Sequence, residues 1–170
     1  MSTMYVNNIA PLEGNTINVA SGKTLSAPGH VIQVISSTAS SAVSSSSTTF
    51  ADTGLSVNIT PTSTSSKILV IVFDPIHMTE EPGTDVSMNY KVTGGAIDSS
   101  YNPNVRFGIH TGNGTRADLW TNAHIHILDS PNSTSQQTYK TQYKSGSTGY
   151  TATVHYNNGT GSITVMEIAG

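Results

Sequence analysis

The chain has 170 residues, enough for one domain with a short appendage, and no cysteine, which excludes disulfides and thiolate zinc sites. Only 10% of the residues are charged and 35% are apolar, while 24 Ser and 24 Thr outnumber all the charged side chains together. A net charge of −3 without any Lys/Arg cluster gives no electrostatic footprint for nucleic acid, and no apolar run reaches the length of a membrane-spanning helix, so neither nucleic acid nor a bilayer is an expected partner.

No long stretch places apolar residues at i, i+3, i+4 and i+7, so helices are not expected. Short strand patterns separated by turn residues run the whole length. "MYVNNI" and "NTINV" open the chain, without the basic and apolar regions of a signal peptide. The turn "SAPG" sets residues 1–29 apart as an N-terminal arm, and residues 30–170 read as a knob domain. "HVIQVIS" is the next strand. "SSTASSAVSSSSTTF" reads as a flexible linker by composition. In "GLSVNIT", Leu55, Val57 and Ile59 share one face, opposite Ser56, Asn58 and Thr60, as in a half-buried strand.

"SKILVIVFDP" (66–75) is apolar on both sides, with Ile68, Val70 and Val72 on one face and Leu69, Ile71 and Phe73 on the other. "DVSMNYKVT" and "NVRFGIH" follow, the latter with Val105, Phe107 and Ile109 opposite Arg106 and His110. "GNGTRA" (112–117) matches the G-x-G-x-x-A form of a dinucleotide site. The "DLWTNAHIHIL" after it alternates like a strand, however, so a glycine-rich hairpin turn is expected. That strand puts Trp120, Asn122, His124, His126 and Leu128 on one face. "QTYKTQY", "YTATVHY" and "SITVMEI" close the chain, the last with Ile163 and Val165 opposite Met166 and Ile168. About ten such strands predict an all-β, antiparallel, jelly-roll-like sandwich.

A strand buried on both faces needs cover on each side. The opposing sheet supplies one cover. With no helices available, a second subunit is expected to supply the other, across Leu69, Ile71, Phe73, Met166 and Ile168. No G-x-S-x-G elbow occurs, and Asp74, Glu80, Glu81, Asp85 and Asp98 read as solvated turn residues, so no catalytic role is assigned. Trp120, Tyr101, Tyr139 and Tyr143, with Tyr90, Tyr150 and Tyr156 behind them, are candidates for stacking on a host surface glycan.

The opening "MYVNNIAPLEGNTINVASGKTLSAPGHVIQV" resembles the start of small virion proteins of marine and cyanobacterial tailed phages. "TTFADTGLSVNITPTSTSSKILVIV" and the ending "GSITVMEIAG" are similar to later parts of the same pattern. The likeness covers about residues 4–36, 48–73 and 161–170, and leaves 74–160 unmatched. It implies a homotrimeric virion component, made in the host cytoplasm and seated on major capsid or tail proteins as a decoration protein or tail-fibre knob. The chain has no shaft repeats, which favours the compact forms. Fibres of this class place H-x-H pairs on their threefold axes. His124 and His126 are therefore candidate ligands of a trimer-axis metal ion, the one cofactor considered, against a reading as plain surface or interface histidines.

Overall fold

The computed structural model describes residues 27–80, 85–97, 104–110 and 116–170, with Glu80 and Asn104 as backbone only. All but the last three residues of the expected arm, as well as Tyr101, Glu81 and Asp98, lie outside the described residues.

Ten strands account for most of what is described: β1 (Val31–Ala39), β2 (Val43–Ser45), β3 (Ala51–Ile59), β4 (Lys67–Glu80), β5 (Asp85–Thr93), β6 (Asn104–His110), β7 (Ala117–Asp129), β8 (Gln137–Ser145), β9 (Ala152–Val154) and β10 (Gly161–Ile168). Every pairing is antiparallel. The pairs are nested: β5 with β6, β4 with β7, β3 with β8, β2 with β9, and β1 with β10. The described strands thus form one long double ribbon. It is rolled so that β10 and β9 also pair with β4, and β8 with β5. Two sheets result: a first containing β1-β10-β4-β7 with β9-β2 beside the far half of β4, and a second in the order β3-β8-β5-β6. This is the rolled double Greek key of a jelly roll, the expected fold class.

Period-two alternation builds the core between the sheets. Ile68, Val70, Val72, Ile76 and Met78 of β4 point inward with Ile163 and Val165 of β10. They meet Leu55, Val57 and Ile59 of β3, Val86, Met88, Tyr90 and Val92 of β5, and Tyr139 and Tyr143 of β8. β4 continues past Pro75, where a strand would ordinarily lose a ladder bond. Pro75 stands in the gap between the β10 partners, which end at Phe73, and the β9 partners, which start at Ile76. Its carbonyl faces that gap and accepts the His155 N–H at 2.8 Å. Carbonyl and amide of one residue share a side in an antiparallel ladder, so the missing N–H falls where no strand asks for it.

Three expectations are corrected. The serine run is not a linker: β1 reaches into it and β2 lies inside it. Its hydroxyls pair across strands, Ser36 with Thr164 and Ser44 with Thr153, each at 2.8 Å. Composition is blind to such partners because they come from far along the chain. "GNGTRA" does not join a hairpin, because β6 belongs to the second sheet and β7 to the first. The strand beginning at Ala117 also removes the helix that a dinucleotide site requires. Finally, Asp74 is not a solvated turn residue. It lies within β4 on the inward face and is fully buried.

Candidate functional site

The outer face of the first sheet collects most of the residues singled out in the sequence. On β4 it carries Leu69, Ile71, Phe73, Pro75, His77 and Thr79, and cross-strand register sets their neighbours. Leu69 lies between Met166 of β10 and Leu128 of β7, and Met166 in turn pairs with Val34 of β1. An aliphatic row therefore crosses all four strands, ending in Val34 and Leu128, which are 54% and 55% exposed. Ile71, Ile168 and exposed Val31 flank it. All five expected interface residues share this face, and among the described residues nothing of the chain covers it. Val31 and Val34 were not singled out, because the apolar pattern of β1 is short and broken by Gln33 and the serines after Ile35.

The far end of the same face is aromatic. His77 pairs with Trp120 and is sandwiched between two rings, Trp120 at 5.4 Å and Tyr156 at 4.0 Å, with interplanar angles of 25° and 27°. Trp120 is 61% exposed and Tyr156 39%. Asp118 fixes the imidazole, its Oδ1 lying 3.2 Å from His77 Nε2 and accepting the Thr79 hydroxyl at 2.6 Å, with Arg116 3.9 Å away. The Thr79 hydrogen bond, aided by His77 and Arg116, outweighs desolvation and holds the Asp118 carboxyl below the usual carboxylate range. Two hollows flank the stack. One, of ≈ 350 Å³, is lined by His77, Thr79, Tyr150, Thr151, Thr153 and Tyr156. The other, of ≈ 210 Å³, is lined by Pro75, Trp120, Thr121, Asn122 and Tyr156.

Tyr156 sits in a tight turn between β9 and β10 in which three non-glycine residues, His155, Asn157 and Asn158, have φ of 52°, 55° and 59°. Such left-handed backbone persists only where its surroundings enforce it. The enforcement comes from below. His155 is fully buried, with Nδ1 3.0 Å from the Ser41 carbonyl and Nε2 3.1 Å from Asp74 Oδ1. Tyr90 donates to Asp74 Oδ2 at 2.5 Å. Burial depresses the His155 pKa, but Asp74 and the Ser41 carbonyl more than compensate, so the imidazole holds its proton above its ordinary value. The buried contact between His155 and Asp74 thus positions a surface aromatic.

His124 and His126 are exposed on the same outer face, opposite Phe73 and Ile71 respectively, between the aliphatic row and the aromatic stack. His124 rests edge-on against Phe73 at 5.0 Å. Among the described residues no group of three or more His, Cys, Asp or Glu is placed to hold a metal ion. Two imidazoles of one chain supply too few donors for a first-row metal, so a site here would need other copies. Tyr139 and Tyr143 are corrected as glycan-stacking candidates. Both are 0% exposed, on the inward face of β8, and Tyr139 donates to Asp129 at 2.7 Å. Burial pushes the Tyr143 phenol up to about 12. The alternation of "QTYKTQYKS", tyrosine against lysine and glutamine, was the signal that could have placed them inside. His77 escaped notice because the strand pattern was ended at Pro75.

No protein-family model and no curated protein matches the chain. Among solved structures, it is similar to the infectious bursal disease virus Gx strain structure at 10% identity and a TM-score of 0.36, covering 91% of this chain and 42% of that one. For the T13 particle of that virus the values are 10% identity, TM-score 0.38, 91% and 40%. For its VP2 subviral particle they are 12%, 0.34, 91% and 42%. The chain spans about two fifths of the length of those chains. Among the described residues, no helix is long and apolar enough to cross a membrane.

Proposed function

We propose that this chain is a non-enzymatic structural component of a tailed-phage virion, which assembles as a homotrimer through the outer face of its first sheet. Residues 1–29 attach it to major capsid or tail proteins as a decoration protein or fibre knob. One observation carries the reading: the aliphatic row of Val34, Met166, Leu69 and Leu128, with Val31, Ile71 and Ile168 around it, left uncovered by the described chain. Contiguous exposed apolar surface of this kind marks an interaction site. Burying even three aliphatic side chains per subunit contributes roughly 5–9 kcal/mol before ordering costs. The jelly-roll ribbon, an architecture used by viral capsid and lectin domains, supports the reading by analogy. So does the sequence resemblance over 4–36, 48–73 and 161–170.

Light scattering of the purified full chain tests it. A trimer is expected for the wild type. Monomers with an unchanged β-sheet circular dichroism spectrum are expected for Leu69→Asp, and for Leu128→Asp, whose exposed position leaves folding intact. A wild-type chain that is monomeric in solution and on the particle, or aspartate variants with full trimer content, would overturn the proposal.

A further inference from the structure

We infer that the stack of Trp120, His77 and Tyr156 is a binding site for a neutral glycan, at the far end of the face whose aliphatic row is assigned to assembly. Leu69 and His77 lie eight residue steps apart on β4, roughly 26 Å, so a partner can cover the aliphatic row and leave the stack in solvent. The stack has the features of a built site. An exposed tryptophan and a tyrosine are locked against a central imidazole that Asp118 holds in place, so little side-chain freedom is lost when a ligand stacks on them. The turn that presents Tyr156 keeps three non-glycine residues in left-handed backbone, and strain of this kind concentrates at ligand clamps.

The surroundings select the ligand class. The outer rings offer apolar faces that match the C–H face of a pyranose. The rims of the two hollows carry Thr121, Asn122 and Thr151, neutral donors and acceptors suited to sugar hydroxyls. The charged groups there, Asp118 and Arg116, lie within ion-pair distance of one another and contribute no net charge. That composition disfavours phosphate, sulfate and sialic acid ligands, which call for convergent cations. Among the described residues it also lacks the basic groove that a single-stranded nucleic acid would need to accompany base stacking.

Trp120 is the only tryptophan of the chain, so its emission reports on this site alone. The experiment titrates the full chain with short neutral gluco-, manno-, galacto- and N-acetylglucosamine oligosaccharides, alongside a sulfated oligosaccharide and a thymidine oligonucleotide. A saturable change in Trp120 emission is expected with at least one neutral glycan and with neither anionic probe. Tyr156→Ala and Asn122→Ala should each weaken that binding about tenfold or more, whereas Leu69→Asp should leave it unchanged. Trp120→Ala, followed on a glycan array, should lose the signal altogether. Asn122 is exposed, so its variant keeps the test valid should Tyr156→Ala fail to fold. No response to any neutral glycan at millimolar sugar, a response confined to the anionic probes, or binding indifferent to these substitutions would each overturn the inference.

Discussion

Three tyrosines of the core, Tyr90, Tyr139 and Tyr143, are equally buried at 0% exposure, yet their hydroxyls have different fates. Tyr90 donates to Asp74 at 2.5 Å and Tyr139 to Asp129 at 2.7 Å, while the Tyr143 hydroxyl has no partner among the described residues. Replacing each by phenylalanine removes one oxygen and almost no apolar area, so hydrophobic transfer cancels across the series. What remains is the hydrogen bond. A bond to a charged group is worth about 1.5–3 kcal/mol, and losing it leaves a buried carboxylate short of a donor. Tyr90→Phe and Tyr139→Phe should therefore each cost about 1.5–3 kcal/mol. For a domain of this size that lowers the melting midpoint by roughly 3–12 °C. Tyr143→Phe removes an unsatisfied buried hydroxyl, and should be neutral or stabilising by up to about 1–3 kcal/mol. Urea unfolding followed by circular dichroism measures all three, with an unchanged slope as the check that compactness is preserved. Equal destabilisation across the series, or a loss at Tyr143 as large as that at Tyr90, would refute the assignment of these partners.

Further outcomes follow from the other buried or paired groups. The His155 pKa is raised in the fold, so the stability from its charge pair with Asp74 is in place below the unfolded imidazole value of about 6.5 and is lost as the pH rises through the higher folded value. Urea midpoints should fall toward alkaline pH more steeply in the wild type than in His155→Gln, by at most about 1.4 kcal/mol per pH unit; parallel profiles would remove the charge pair from the account. Glu167 is the opposite case. Burial raises its pKa, but donors from Ser66, Gln33 and Thr62 prevail and lower it, so its contribution is present above the unfolded value of about 4.3 and disappears as the pH falls through the folded one. Glu167→Gln should accordingly flatten the acid limb of the stability profile, and an acid limb as steep as the wild type's would show that these bonds carry nothing. If His124 and His126 line a threefold axis, untagged protein incubated with nickel, zinc or iron should retain about one ion per three chains by elemental analysis; less than that leaves them as ordinary surface histidines.

What could be read from the sequence is what alternation encodes locally. β5 and β6 match their predicted runs residue for residue, and the inward sets of β3 and β4 were assigned to the correct faces. So were the five outward residues around Leu69, because a strand apolar on both sides needs cover on each in a sequence that shows no helix pattern. Pairing between distant segments was not legible. The serine run holds strands whose partners lie more than a hundred residues away, and β6 and β7, close in sequence, part to different sheets. The aromatic stack depends on the same long-range information. Trp120 and Tyr156 were visible as residue types, but His77 unites them only through the register of β4 with β7 and a turn held by buried Asp74.

The nested order of the ribbon also sets a timetable for synthesis. β5 and β6 can close as soon as both leave the ribosome, and β4 finds β7 soon after. β1 must wait longest: Ser36 and its partner Thr164 are 128 residues apart, an interval of about 6–26 s at ordinary elongation rates. An apolar strand idle for that time, with both edges open, would be a template for aggregation. The waiting strands carry hydroxyls at their adjoining ends, β1 in "SSTA" after its apolar "VIQVI" and β2 in "VSS", while the greasiest, β4, emerges just ahead of the β5–β6 hairpin. The serine that looked like a linker dilutes the apolar surface of these two strands until β9 and β10 arrive to receive them.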